Sequence, residues 1–157
     1  MDNELKMDLQ PIGWVRSPVK EKPDDGFRWQ EIVAEIVIKP ELLEGLDGLR
    51  DFSHIMVCWW MHQAVDPAKK ALKVFPRGRK ELPPVGVFAS RSPYRPNSIG
   101  RATVRLLERR ENILVVRGLD AIDGTPILDI KPFIPGYDSP MEGATAPEWA
   151  TRHRRQV

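Results

Sequence analysis

Short apolar segments rich in β-branched and aromatic residues, separated by proline-containing turns, run through most of the 157-residue chain. Residues 31–38 (EIVAEIVI) alternate apolar and polar positions, which predicts a strand with one buried face. Residues 54–61 form a continuous apolar run that predicts a buried strand, and residues 85–90 and 102–111 predict two more. In the last of these the alternation is imperfect, which indicates a bulge or bend.

Counting all such segments gives six or seven strands with one or two short helices, the latter near residues 40–49 and 147–154. This pattern predicts an all-β, mainly antiparallel fold in the form of a small closed or nearly closed β-barrel, with a β-sandwich as the alternative. Full-length helices do not alternate with the strands and no G-x-G-x-x-G motif opens a helix, so a Rossmann cofactor domain is not expected. We expect a flexible N-terminus over residues 1–10, one barrel domain over 11–135, and a C-terminal extension with a basic tail over 136–157.

The charge is nearly balanced, with 24 Lys and Arg against 22 Asp and Glu, and a net charge of +2 gives no bulk field typical of a nucleic-acid binder. Cations are concentrated at residues 69–80 and 151–157, where they either meet phosphates or form ordinary solvated surface. The single cysteine, Cys58, excludes an internal disulfide, and no Cys/His set has zinc spacing. With neither a signal peptide nor an apolar run of the roughly 20 residues that span a membrane, we expect a cytoplasmic protein without metal.

Polar clusters lie at the ends of the predicted strands, at residues 16–30, 62–63, 91–100 and 118–132. Because a barrel gathers its strand ends at a rim, these clusters can share one pocket. Asp123 and Asp129 interrupt apolar sequence and are candidates to accept a proton. Each has a structural alternative, since Asp123 opens the turn sequence D-G-T-P and Asp129 can pair with Lys131 on the same strand face.

Residues 87–100 (VFASRSPYRPNSIG) hold an unusual mixture of residue types for a turn. Pro93 and Pro96 stiffen the loop, which lowers the entropy cost of holding it around a ligand. Its arginines are suited to bidentate recognition of carboxylate or phosphate, Tyr94 offers a stacking face, and Asn97 offers an amide that can contact a base edge. A surface turn whose arginines pair with acidic neighbours is the alternative.

His62 directly follows the apolar run and is either a packing residue or part of a site. A hydrolase triad would require Ser90 or Ser92 beside His62. Neither serine lies in a G-x-S-x-G elbow, which makes this alternative weak.

Four ordered blocks resemble one family: IGWVRSPVKEK, FSHIMVCWWMHQ, GVFASRSPYRPNSIG and LDAIDGTPILDIKP. They are similar to the TsaA-like (YaeB or TrmO type) proteins, and the resemblance extends from about Pro11 to Pro135. It implies a small antiparallel β-barrel that binds S-adenosyl-L-methionine without a Rossmann sheet. It further implies methylation of N6 of the threonylcarbamoylated adenosine beside the anticodon of certain tRNAs.

Carried over position by position, the resemblance implies cofactor contacts at Arg28, Trp29, Gln30, His62, Gln63, Arg91, Arg101, Arg117, Gly118, Leu119 and Asp120. The segment around Arg28 departs from the family's usual Pro-x-Gln pattern. Arg101 and Arg117 replace smaller or apolar residues, which implies contact through backbone atoms there. Arg91 is expected to bind the methionine carboxylate, and Leu119 with the 62–63 strand end to adjoin the adenine.

The remaining roles follow from the same resemblance. Asp123 or Asp129 is expected to accept the proton from the acceptor amine. Tyr94, Arg95 and Asn97, with the basic tail, are expected to face tRNA. A homodimer is implied, and a barrel that binds S-adenosyl-L-methionine or RNA without catalysis is the alternative function. Longer bacterial members of the family carry a further C-terminal domain that helps with tRNA.

Overall fold

The computed structural model describes residues 6–140 and 142–151. These residues form eight strands: β1 (Gly13–Arg16), β2 (Val33–Ile38), β3 (His54–Trp60), β4 (Lys73–Val74), β5 (Val85–Gly86), β6 (Ile99–Arg110), β7 (Ile113–Arg117) and β8 (Pro126–Pro132). Short 3₁₀ segments connect them at Trp29–Glu31, Pro40–Leu46, Leu49–Asp51, Pro67–Lys69, Pro76–Gly78 and Val87–Ala89. One short helix, α1 (Glu148–Thr151), follows the last strand.

Six strands close into a barrel in the order β1-β2-β7-β6-β3-β8, with every neighbouring pair antiparallel. The prediction of a closed antiparallel barrel is therefore confirmed. β4 and β5 pair only with each other and form a separate two-stranded hairpin between β3 and β6. The 3₁₀ segments at 40–46 and 49–51 stand where one short helix was expected, and residues 152–157, which include most of the basic tail, lie outside the described residues.

Alternate residues of each strand fill the barrel interior. β3 buries Ile55, Val57 and Trp59 and turns the residues between them outward. Side chains from the other strands complete the core, among them Ile36, Ile38, Val104, Leu114, Val116 and Ile127. Burial of this apolar area is the dominant stabilising contribution, at about 25 cal/mol per Å² removed from water.

Two glycines allow strands to approach where a side chain would collide. A Cβ on Gly100 would overlap the indole of Trp59, its partner across the β3–β6 ladder. A Cβ on Gly13 would overlap the backbone carbonyl oxygen of Val37 on β2. Both positions therefore require glycine for steric reasons.

Two β-bulges interrupt the ladders. Between β6 and β7 the register shifts between Leu106 and Glu108, which confirms the predicted irregularity. Between β3 and β8, Cys58 pairs with Asp129 whereas Trp59 pairs with Ile127, so one residue of β8 is extra. This second bulge determines which β8 side chains face outward.

Candidate functional site

One end of the barrel, called the rim here, gathers four connections: residues 17–32, 61–64, 90–98 and 118–125. Backbone hydrogen bonds tie these connections to one another. The Gly118 N–H donates to the Ile32 carbonyl at 3.0 Å, and the Asp123 N–H donates to the Val19 carbonyl at 2.8 Å. The Met61 N–H donates to the Ser98 carbonyl at 2.7 Å. The structure thus brings together polar clusters that are far apart in sequence.

The corner between residues 28–30 and 117–118 forms the first part of the rim. Gly118 has φ +94°, and a Cβ there would lie 3.9 Å from the Gln30 Cα, so the glycine leaves an open space between the two segments. Trp29 is half-buried and stacks edge-on against Phe27, with ring centroids 5.0 Å apart. Arg28 is exposed and pairs with Glu31 at 2.9 Å.

The turn after β3 forms the second part. His62 is half-buried, its N–H donates to the Trp60 carbonyl at 2.8 Å, and the two rings lie 6.3 Å apart between centroids. Gln63 is exposed beside it. Ser98, a buried polar residue that the sequence did not single out, donates from Oγ to the Ala64 carbonyl at 3.2 Å and fastens this turn to the next loop.

The 90–98 loop is held together by its own polar groups. Arg95 donates from Nη1 to the carbonyls of Ser90 at 3.1 Å and Ser92 at 3.3 Å. Ser90 donates from Oγ to the Val87 carbonyl at 2.8 Å, and the Tyr94 N–H donates to Ser92 Oγ at 3.3 Å. Arg95 therefore stabilises the loop from within, and its predicted contact with RNA stays a prediction.

Arg91 and Asp120 lie at the rim, close enough for the charge of Arg91 to act on the Asp120 carboxyl. Arg91 is exposed and makes no hydrogen bond or ion pair with any described residue. Asp120 follows the fully buried Leu119 and precedes the buried Ala121, so its backbone is anchored on both sides. Asp120 is exposed as a whole residue, but the protein atoms around its carboxyl partly desolvate it and so raise its pKa, while a hydrogen bond from its own backbone and the positive charge of Arg91 act in the opposite direction. Leu119 itself has no exposed surface from which to contact an adenine.

Asp123 lies at the same rim but is engaged in structural contacts. Its Oδ1 accepts from the Ser17 N–H at 2.8 Å, and its Oδ2 lies 2.9 Å from the Lys20 Nζ. The hydrogen bond from Lys20 and then that from Ser17 lower the pKa of the Asp123 carboxyl. A carboxylate with a lowered pKa is a weaker proton acceptor.

Asp129 and Arg101 lie on the outer surface of the barrel wall, on either side of Cys58. Asp129 Oδ2 lies 3.0 Å from the Lys131 Nζ, the salt bridge considered as its structural alternative, and Oδ1 accepts from the adjacent Ile130 N–H at 2.9 Å. Arg101 donates from Nη2 to the Met56 Sδ at 2.9 Å. Burial, followed by the charge of Asp129, raises the pKa of the Cys58 thiol, which makes it a poor nucleophile.

A cavity of about 560 Å³ lies between the 3₁₀ segment Pro40–Leu46 and β8. Its lining is mainly apolar and includes Leu42, Phe52 and Ile130, with Asp129 at the β8 side. None of the rim residues lines it, so this cavity is distinct from the site assembled by the four connections.

Sequence reasoning did not assign two lysines that contact the 90–98 loop. Lys69 Nζ lies 5.8 Å from the centroid of the Tyr94 ring, and Lys70 Nζ donates to the Pro96 carbonyl at 3.3 Å. Their only signal in the sequence is the density of cations around them. Among the residues that the structure describes, no group of three or more His, Cys, Asp or Glu side chains could hold a metal ion, and no helix is long and apolar enough to cross a membrane.

Comparison with known proteins adds independent findings. The family model of the tRNA-methyltransferase O N-terminal domain matches residues 14–139. A Methanothermobacter thermautotrophicus protein named "Probable S-adenosyl-L-methionine-binding protein" is 45% identical over 139 residues, covering 87% of this chain and 97% of the relative. The Pseudomonas aeruginosa "Putative S-adenosylmethionine-dependent methyltransferase RcsF" is 36% identical over 166 residues, covering 95% and 71% respectively.

Among solved structures, TrmO from Pseudomonas aeruginosa matches with a TM-score of 0.70 and 32% sequence identity. The match covers 89% of this chain and 61% of the TrmO chain, so the present chain spans less than two thirds of that protein's length.

Proposed function

The chain belongs to the family of tRNA-methyltransferase O N-terminal domains, and on this basis we propose that it is an S-adenosyl-L-methionine-dependent tRNA methyltransferase. Its acceptor is N6 of an adenosine, in its threonylcarbamoylated form, next to the anticodon. The names of the two relatives support the cofactor, and only one of them names an activity. The proposal includes a homodimer working in the cytoplasm, with residues 11–135 as the functional barrel and 136–157 as its extension.

One observation carries the cofactor assignment: the rim brings residues 28–30, 62–63, 91 and 117–120 to one end of the barrel. Arg91 offers a guanidinium with no hydrogen bond to any described residue, which suits a carboxylate. At Gly118 the nearest atom to the position of a Cβ is the Gln30 Cα at 3.9 Å, so there is room at this corner of the rim. When bound, S-adenosyl-L-methionine supplies a methyl group already activated by its sulfonium, so the protein contributes mainly positioning.

The acceptor nitrogen must lose a proton as it gains the methyl group. Asp123 and Asp129 are the sequence-based candidates to accept it, yet both carboxylates are paired with lysines. Asp120 combines a place beside Arg91 with a raised pKa, which makes it a stronger base when ionised. We add Asp120 to the two as the first candidate to test.

The test is methyl transfer from labelled S-adenosyl-L-methionine to two preparations of the same tRNA, with and without the threonylcarbamoyl group. We expect N6-methylated product in the modified tRNA, identified by mass spectrometry of nucleosides. Asp120→Asn, Asp123→Asn and Asp129→Asn are compared with the wild type. The base is the residue whose loss lowers kcat at least about tenfold while calorimetry shows retained cofactor binding.

A non-catalytic module that binds S-adenosyl-L-methionine is the second candidate, favoured by the archaeal relative whose name states binding alone. Cofactor binding without methyl incorporation into either tRNA would support it. Absence of binding at millimolar cofactor would exclude both candidates.

A further inference from the structure

Residues 66–81, called the basic arm here, hold a local excess of positive charge. They hold six cations, Lys69, Lys70, Lys73, Arg77, Arg79 and Lys80, against two carboxylates, Asp66 and Glu81. The whole chain has a net charge of +2, so this short segment alone exceeds the net charge of the protein. All of these cations except Arg79 are exposed.

The two carboxylates of the arm do little to neutralise it. Glu81 pairs with Arg79 at 2.6 Å, and Asp66 accepts from the Ala68 N–H at 3.0 Å as a 3₁₀ cap. Lys73 and Lys80 make no ion pair with any described residue. Like charges gathered without counter-charges repel one another, which favours a polyanionic partner.

The arm is fastened to the proposed methyl-transfer site. At its start, Lys69 and Lys70 contact Tyr94 and the Pro96 carbonyl of the 90–98 loop. After the arm, β5 leads through the 3₁₀ turn Val87–Ala89 directly to Arg91. A polyanion lying along the arm would therefore reach the rim.

Exposed aromatic rings accompany these cations. Phe75 lies within the arm and is 43% exposed, and Phe88, just before Arg91, is 76% exposed. Cations interleaved with exposed aromatic side chains are the combination that binds unpaired RNA, because phosphates meet the cations while bases stack on the rings.

We propose that the basic arm binds the phosphate backbone of the RNA substrate beside the rim. This inference rests on the proposed function and deepens it, since it assigns the RNA contact to the arm instead of to Arg95, whose guanidinium is engaged with loop carbonyls. The arm cations hold the RNA strand, and Phe88 lies where that strand meets the rim.

The test compares Lys73→Gln/Lys80→Gln with the matched control Arg105→Gln/Lys39→Gln, which removes the same charge from strand β6 and the end of β2. Affinity for the tRNA used above is measured over a series of KCl concentrations, and affinity for S-adenosyl-L-methionine by calorimetry. We expect the slope of log K against log salt to fall by roughly 1.4–1.8 for the arm variant, the value for two lost phosphate contacts. The control should keep the wild-type slope, and both variants should keep the wild-type cofactor affinity.

Equal slopes for the arm variant and the control, with a wild type that binds and methylates tRNA, would overturn this inference and leave the proposed function intact. A wild type that binds the cofactor but no tRNA would overturn both. Exposed apolar residues on such a surface could instead form a contact between two copies of the chain, and sedimentation of Leu72→Ser/Phe88→Ser tests this. A smaller particle with unchanged RNA affinity would assign the arm to a second copy of the chain and overturn the inference.

Discussion

The wall of the barrel and its rim are built on opposite principles. In the wall, alternate side chains are buried and the strands pair around a closed sheet whose ladders are interrupted by two β-bulges. Every buried side-chain nitrogen and oxygen among the described residues has a hydrogen-bond partner, including those of Ser17, Ser98 and Thr125 in the rim connections. The rim differs from the wall in its exposed groups, since Arg91 makes no hydrogen bond to described residues and the Asp120 carboxyl has a raised pKa. The wall thus holds the buried contacts that stabilise the domain, and the proposed ligand contacts fall on the rim.

The boundary between the two does not follow the strand ends. Arg95 and Asp123 lie at the rim, yet their polar groups are satisfied as fully as those of the wall. Position alone therefore does not identify a functional residue here. Arg91 differs from its neighbours because its guanidinium has no hydrogen-bond or ion-pair partner among the described residues. Asp120 differs from Asp123 in the direction in which its pKa is shifted.

The largest effect is expected in the wall, for Gly100→Ala. The added methyl group would overlap the Trp59 indole, which is itself buried, so the clash cannot be relieved toward solvent. Overpacking of this kind costs about 3 kcal/mol, the upper part of its usual range. Urea unfolding measures the change. Gly86→Ala, with no atom within 4 Å of the new Cβ, is the matched control and should stay within about 0.5 kcal/mol of the wild type.

At the rim the expected effect moves from stability to binding. Arg91→Ala should weaken S-adenosyl-L-methionine binding about 10- to 100-fold, the value of a charge-assisted hydrogen bond, with no loss of thermal stability. Calorimetry measures the change in affinity, and thermal unfolding measures the stability.

Arg95→Ala should lower the melting temperature, because two loop carbonyls lose their donor. A melting temperature lowered by Arg91→Ala would show that Arg91 stabilises the fold, as wall residues do, and would contradict the distinction between wall and rim.

The wall was predictable from the sequence because its strands carry local signals: alternation of apolar and polar residues in β2 and a continuous apolar run in β3. Residues 85–90 were predicted as one strand, but the structure has a two-residue β5 followed by a 3₁₀ turn. The segment has no alternation of its own, and its pairing depends on a distant residue, since the Val87 N–H donates to the Leu72 carbonyl. The bulge opposite Cys58 was also not predicted, and it is this bulge that directs Asp129 to the outer surface.

The gathering of polar clusters at one rim was predictable from barrel geometry, whereas the hydrogen-bond partners of the individual charged side chains were not. The Asp123 carboxylate meets the backbone of Ser17, 106 residues earlier in the chain. Arg95 meets carbonyls whose directions depend on the path of the whole loop. Residue types indicate which groups can bind a ligand, and only long-range contacts determine which of them are left free to do so.

The smallest expected effect, and the sharpest test of the boundary, is Asp123→Asn. The carboxamide keeps an oxygen for the Ser17 N–H but loses the ion pair with Lys20, which should cost about 1 kcal/mol at pH 7 for a group one third exposed. Because the folded pKa of Asp123 lies below its unfolded value near 4, this stabilisation is complete above that value and is lost as pH falls through the folded pKa. The difference in unfolding free energy between wild type and variant, measured in urea from pH 7 to pH 2, should therefore shrink toward zero.

Asp120→Asn is the control, for which the opposite sign is expected. The raised pKa of Asp120 means that its ionisation opposes folding, so the variant should be at least as stable as the wild type at pH 7. If Asp123→Asn were as stable as the wild type at pH 7, the contacts of Asp123 would not stabilise the fold, and Asp123 would again be a leading candidate to accept the proton.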